Sequence, residues 1–268
     1  MPKIIATSLL KGGTGKTALT YNIATTEAIK KPDAKFLCID FDMQGNLTNY
    51  FGIESFEKVQ EDSSDLILGN KTPEQLLIKS PLEEVPNLDL IPSSFNLFQN
   101  EIALNNLRGN ESRLKRIFDK HKDFFNQYDY IIIDTNPSFS IYNINVLYIA
   151  DVILNVVKNG CVSSLKALQM QMGIWEGIKE DLSLSKEQRN VIILNMLDTR
   201  TKNSKQFIEN IFTDEQFKDL VLNTTVRNSV VFANAMLNNK PLYLYNKNHK
   251  ATEDILNITR ELEDKNIF

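Results

Sequence analysis

Leu10-Lys11-Gly12-Gly13-Thr14-Gly15-Lys16-Thr17 decides how this chain is read. It follows an apolar, strand-like run, Ile4-Ile5-Ala6-Thr7-Ser8-Leu9, and opens onto a helical pattern that begins near Thr17. A strand, a tight glycine turn and a helix N-terminus, in that order, form a phosphate-binding loop. Gly12, Gly13 and Gly15 can adopt positive φ, letting backbone N–H groups close around phosphate oxygens. Lys16 supplies a point charge for the β- and γ-phosphates, and Thr17 a hydroxyl for Mg²⁺. The competing reading is a helix-capping glycine turn with an incidental lysine. Gly-Lys-Thr, two further glycines and the strand–helix setting together favour phosphate binding.

The neighbouring segments supply what such a loop needs. Ala18, Ile23, Ala24 and Ala28 recur at helical spacing to about Ile29. Lys35-Phe36-Leu37-Cys38-Ile39-Asp40 reads as a buried strand ending in a carboxylate, and strand–helix–strand implies a parallel sheet with a right-handed crossover. Asp40 and Asp42 then stand at the carboxyl end of a strand, where ligands bind in open α/β sheets. Tyr128-Asp129-Tyr130-Ile131-Ile132-Ile133-Asp134 is a near-continuous apolar run of the kind found in a central parallel strand. Its terminal Asp134 is of the Walker B type, holding Mg²⁺ through water or Thr17. Further strands are expected at 87–92, 151–157 and 190–201. Helices are expected at 111–126, 163–179 and 251–264, the first with a solvated basic face.

These motifs resemble the ParA/MinD group of ATPases with a deviant phosphate loop, in which Leu10 stands for the usual first glycine and Lys11 is the additional lysine. Asp40-Phe41-Asp42-Met43-Gln44-Gly45-Asn46 resembles the group's Asp-x-Asp-x-Gln-Gly-Asn stretch, and Asp134-Thr135-Asn136-Pro137-Ser138 its Asp-x-Pro-Pro-Ser, with Asn136 for the first proline. The resemblance implies a P-loop fold: one α/β domain over residues 1–268, a mostly parallel twisted sheet with helices on both faces. It implies that Lys11 reaches across an ATP-bound homodimer, that Lys16 and Asp42 take part in catalysis, and that Asp42 orients the attacking water. Nucleotide contacts fall on Lys11 to Ala18, which includes Thr14. Mg²⁺ falls to Thr17, Asp42 and Asp134.

Asn195-Met196-Leu197-Asp198-Thr199-Arg200-Thr201 is similar to a partition-ATPase stretch, with Asn195 in place of threonine and suited either to adenine's edge or to a strand-end turn. Val226-Arg227-Asn228 looks like the group's Pro-Arg-Asn loop, placing Arg227 on nucleotide or DNA. Arg200, Lys202 and Lys205 are the other candidate DNA contacts, with a solvated loop as the competing role. These two segments lean towards ParA-type partition ATPases, in the short form without an N-terminal helix-turn-helix. The implied activity is slow ATP hydrolysis, stimulated by a centromere-binding ParB-type partner, in a dimer that binds double-stranded DNA without sequence preference. The implied place is the cytoplasm, at the nucleoid. A MinD-like regulator at the membrane surface is the alternative, and the closing helix is unlike that group's basic amphipathic anchor. An electron-transfer ATPase would need suitably placed cluster cysteines. A tyrosine autokinase would need a tyrosine cluster, and this chain ends Asp264-Lys265-Asn266-Ile267-Phe268.

Composition bounds the rest. With 268 residues, 42% of them hydrophobic, the chain can bury a large core. No apolar run approaches the length of a membrane span, and the short run before the glycine loop argues against a signal peptide. The formal net charge of −4 gives no global support for nucleic-acid binding, so a DNA contact needs a local basic patch. Cys38 and Cys161 are far apart in the chain and are expected to be buried free thiols.

Overall fold

Strand β1 (Lys3–Ser8) feeds the glycine loop and lies near the middle of one sheet. The computed structural model describes residues 1–198 and 201–268. The other strands are β2 (Phe36–Phe41), β3 (Leu88–Ile91), β4 (Tyr130–Thr135), β5 (Val152–Lys158), β6 (Arg189–Leu197) and β7 (Val221–Arg227). Their order is β3-β2-β4-β1-β5-β6-β7, and every neighbouring pair is parallel. The chain winds outward from β1 to β3, returns through β4, then winds outward the other way to β7. The carboxyl ends of β1, β2 and β4 therefore meet where the winding reverses, which is where an open α/β sheet forms a crevice.

Side-chain alternation along the strands builds a core on each face. Ile5, Phe36, Cys38, Leu88, Leu90 and Ile132 point to one side, against the helices Lys16–Lys30 and Lys250–Asp264. Ala6, Leu37, Ile39, Ile91, Ile131 and Ile133 point to the other, against the helices Ser63–Leu68, Arg113–Lys120 and Ile141–Ile149. That second face continues past β5 as Val157, Ile192 and Leu194 under the helices Val162–Asp181 and Lys202–Thr213. Burial on both faces explains why these strands read as unbroken apolar runs. Buried Glu27 pairs with Lys30 at 2.9 Å and Lys31 at 3.0 Å, and Glu263 pairs with the same two lysines, tying the first long helix to the last.

The structure differs from the sequence reading in four places. The helix expected at 111–126 breaks at His121 into Arg113–Lys120 and Lys122–Phe125, so that Phe125 can stack on Phe118 at 3.8 Å. Arg113, expected in solvent, donates from Nε to Ile67 O at 3.1 Å and from Nη2 to Leu68 O at 2.9 Å, closing the end of the helix Ser63–Leu68. Strand β7 was hidden by the polar residues Asn223, Thr224 and Thr225. It is an edge strand, and Glu261 of the last helix accepts from the N–H groups of Asn223 and Thr224. Cys38 is buried as expected, whereas Cys161 is partly exposed.

Candidate functional site

The glycine loop leaves β1 and turns into the helix Lys16–Lys30 through Gly13 at φ +70° and Gly15 at φ +85°. Both are left-handed values that cost an L side chain roughly 1–2 kcal/mol. Gly15 also has no room for a side chain: a Cβ there would lie 2.4 Å from Asn195 Nδ2. Lys16 is only 7% exposed, and its ammonium folds under the loop, donating to Leu9 O at 3.3 Å and Lys11 O at 3.4 Å. Burial pulls its pKa below the ordinary lysine value, and the charges of Asp134 and Asp42 oppose that shift.

The carboxylates meet this loop from β2 and β4. Asp40 and Asp134 are register partners and both are fully buried. Asp40 is saturated: it accepts from Asp42 N at 3.0 Å, Thr48 N at 2.9 Å and Thr48 Oγ1 at 2.8 Å. That makes it a strut for the turn that follows. Asp42 is 6% exposed, and its Oδ1 accepts from Gln44 N at 3.0 Å. Asp134 Oδ1 accepts from Thr20 Oγ1 at 3.1 Å, while Asp134 Oδ2 is buried without a hydrogen-bond partner. Burial raises the pKa of all three carboxyl groups, and for Asp40 and Asp134 neighbouring carboxylate charge adds to the rise.

Asp42 and Asp134 both act on the single Lys16 ammonium, with Asp40 beside Asp134 on the next strand, and this leaves the site short of positive charge. The orphaned Asp134 Oδ2 beside the Thr17 hydroxyl offers a place for a cation's water shell. No cluster of three or more His, Cys, Asp or Glu side chains forms a metal cage among the described residues. Magnesium suits such a site, because it keeps several waters and takes one or two protein ligands plus phosphates. The residues present therefore fit a phosphate-borne Mg²⁺.

The segment after Asp134 answers the missing proline. Asn136 Oδ1 accepts from Ser138 N at 3.1 Å and Ser138 Oγ at 2.7 Å, an Asx turn that fixes the backbone locally. Asn143 Nδ2 then donates to Asn136 O at 3.0 Å and Ser138 O at 2.6 Å. Pro137 lies against the loop, 3.9 Å from where a Cβ on Gly12 would be.

Beside the loop lies a cavity of about 590 Å³, lined by Gly13, Gly15, Thr17, Ala18, Asn195 and Arg227 together with Asn46, Tyr50, Met196, Phe232 and others. Asn195 is bound on both sides of its amide: Nδ2 donates to Thr14 O at 2.7 Å and Oδ1 accepts from Met196 N at 2.8 Å. Arg227 reaches the cavity while paired two-to-two with Asp254, Nε at 2.6 Å from Oδ2 and Nη2 at 2.7 Å from Oδ1. That hydrogen bonding raises its pKa above the usual arginine value. Lys11 stands near the start of the helix Val162–Asp181. There the Ser163 and Ser164 hydroxyls, with help from Lys11, pull the Cys161 thiol down to about 7. Lys202 and Lys205 are exposed at the start of the helix Lys202–Thr213, away from the cavity, and Arg200 lies outside the described residues.

The structure thus gathers Gly12 to Ala18, Asp42, Asp134 and Asn195 at one sheet edge. It adds residues the sequence did not single out. Thr20 and Thr48 sit one turn into a helix with no motif to mark them, and Asp254 comes from a segment 27 residues after Arg227. Tyr50 and Phe232 are ordinary core types whose place on the cavity wall only the fold reveals.

A family model described as an AAA domain matches residues 2–183. The chain is 32% identical to the sporulation initiation inhibitor protein Soj of Bacillus subtilis over 264 residues, 98% of each chain. It is also 32% identical to a ParA family protein of Chlamydia pneumoniae over 262 residues, 97% of each. Among solved structures, a Borrelia burgdorferi protein named for plasmid partition and bound to AMPPNP superposes with a TM-score of 0.79. Identity to it is 24%, over 99% of this chain and 100% of that one, a likeness of fold.

Proposed function

The chain belongs to the ParA family of P-loop ATPases, and from that premise we propose that it is an ATP-hydrolysing partition protein. The observation that carries this reading is the convergence of Lys16, Asp42 and Asp134 on the glycine loop, all at least 90% buried. ATP places its phosphates in the loop, where the N–H groups around Gly13 and Gly15 and the Lys16 ammonium hold them. Its base and ribose occupy the cavity walled by Tyr50, Phe232 and Asn195. Thr17, and through water Asp134 and Asp42, would hold Mg²⁺, which when bound draws charge from the β- and γ-phosphate oxygens.

Asp42 orients the attacking water and accepts its proton as the γ-phosphoryl group leaves. Its raised pKa suits a group that takes up a proton in a poorly solvated site. Asp40 and Ser93 keep Asp42 in place through the backbone of the turn. Lys11 crosses between two ATP-loaded copies and offsets charge on the partner's transferring phosphoryl group, as an arginine finger does. The closed dimer then holds duplex DNA through phosphate contacts from Lys202, Lys205, Arg200 and Arg227. A centromere-binding partner triggers hydrolysis and release. The likeness to partition proteins and the basic residues at the start of the helix Lys202–Thr213 support this cycle.

Asp42→Ala tests the chemical step. We expect ATP affinity within about threefold of wild type and turnover lower by roughly 10²–10⁴. Normal turnover in that variant would remove Asp42 from the mechanism.

A further inference from the structure

The turn from Asp42 to Asn46 is gripped from two sides, and both grips lead to one exposed apolar surface. On one side, Ser93 donates its hydroxyl to Asp42 O at 2.5 Å, and its N–H donates to Thr48 Oγ1 at 2.9 Å. On the other, Ser55 packs so closely on Gly45 that a Cβ there would meet Ser55 Oγ at 2.4 Å. Phe95 comes two residues after Ser93, and Phe56 directly follows Ser55. The two rings are 6.4 Å apart, and Phe98 lies 5.7 Å beyond Phe95. Ile102 follows one helical turn later on the helix Asn96–Asn105. Phe56 is 59% exposed, Phe95 48%, Phe98 52% and Ile102 69%. That helix already buries Leu97 and Leu104, so its outer apolar face is not needed for the core. Asn96 Nδ2 donates to Gln60 O at 2.8 Å, joining the two segments into one surface.

Charge says what covers it. Glu54, Glu57, Glu61 and Glu101 flank the rings in these segments, against Lys58 and Lys71. Those lysines are paired with Glu54 and Glu61, and Glu57 and Glu101 have no ion-pair partner among the described residues. An apolar surface with surplus negative charge disfavours a second copy of itself or an anionic lipid, and favours a cationic amphipathic segment.

We infer that Phe56, Phe95, Phe98 and Ile102 form the docking surface for a basic amphipathic segment of a partner protein, whose arrival shifts the Asp42 turn through Ser93 and Ser55. This rests on the ATPase reading above and gives its stimulating partner a site and a chemistry. The route is short because Phe95 and Phe56 each lie within two residues of a group that touches the turn.

The test uses the full chain and a fluorescent synthetic peptide with leucines along one helical face and lysines along the other. A leucine–glutamate peptide of the same pattern is the control. The lysine peptide binds wild type, weakens with salt and changes ATP turnover, whereas the glutamate peptide does not bind. Phe98→Ser with Ile102→Ser leaves basal turnover unchanged and weakens the lysine peptide by about tenfold or more. Ser93→Ala keeps peptide binding but loses the peptide's effect on turnover. Equal binding of the lysine peptide to wild type and to the double variant overturns the inference while leaving the ATPase reading intact. So does loss of the ATP-dependent dimer in the double variant, which would make the surface a self-contact. A wild type that neither binds nor hydrolyses ATP sinks the reading beneath it.

Discussion

Gly15→Ala adds a single methyl group, and the structure says what it meets. Gly15 has φ +85°, so any L residue pays roughly 1–2 kcal/mol for the left-handed conformation. The new Cβ would lie 2.4 Å from Asn195 Nδ2 and 3.3 Å from the Met196 methyl carbon. Asn195 must move, and its hydrogen bond to Thr14 O is lost in a place where Thr14 is 1% exposed. A buried carbonyl left without its donor costs roughly 1–3 kcal/mol. Together the loss is about 2–5 kcal/mol, or a fall in Tm on the order of 10 °C for a chain of this size. Thermal unfolding followed by circular dichroism measures it, and a fluorescent ATP analogue reports the damage to the loop. The partner experiment is Asn195→Ala, alone and combined. If the methyl group acts by displacing Asn195, the second substitution adds little to the first, and the two are non-additive by about 1–2 kcal/mol. Strict additivity, or a Gly15→Ala protein within about 0.5 kcal/mol of wild type, would refute this account of the loop.

Other groups give further tests. The Asp134 carboxyl pKa is raised by burial and by Asp42, so the folded state favours the protonated acid. Stability from that preference is present below the unfolded pKa and is lost as pH rises towards the raised folded value. In nucleotide- and magnesium-free protein, Asp134→Asn should therefore stabilise the fold by roughly 1–2 kcal/mol at pH 8 and by less near pH 5, while ATP turnover is lost. Denaturant titrations at the two pH values check this, and destabilisation at pH 8 would contradict it. Asp254→Ala removes both carboxylate contacts to Arg227 and the acceptor of its backbone N–H. We expect a cost of about 1–3 kcal/mol and weaker ATP analogue binding, with unchanged binding arguing that Arg227 does not shape the cavity.

Legibility in the sequence followed the physics of each element. Strands buried on both faces, β1, β2 and β4, announce themselves as apolar runs, and the glycine loop requires residues that few other structures need. The candidate carboxylates were readable because Asp40 and Asp134 end such runs, with Asp42 two residues beyond the first. What stayed hidden depends on contacts between distant segments. Edge strand β7 alternates with polar residues and takes part of its pairing from Glu261. Arg113 looked like a surface charge because nothing local shows that Ile67 and Leu68 need a donor. Asn136 replaces a proline in the resembling motif, and only the structure shows that its side chain restores rigidity by bonding Ser138. The bonds of Asn195 to Thr14 and of Arg227 to Asp254 bridge 181 and 27 residues of sequence, beyond the reach of local pattern.

Binding to duplex DNA of arbitrary sequence, measured with ATP, with ADP and without nucleotide across a salt series, tests the central claim most directly. Partition by an ATP-closed dimer predicts binding with ATP alone, weakening steeply as salt rises because phosphate contacts release counterions. A protein that dimerises with ATP yet binds no DNA under any nucleotide would contradict it.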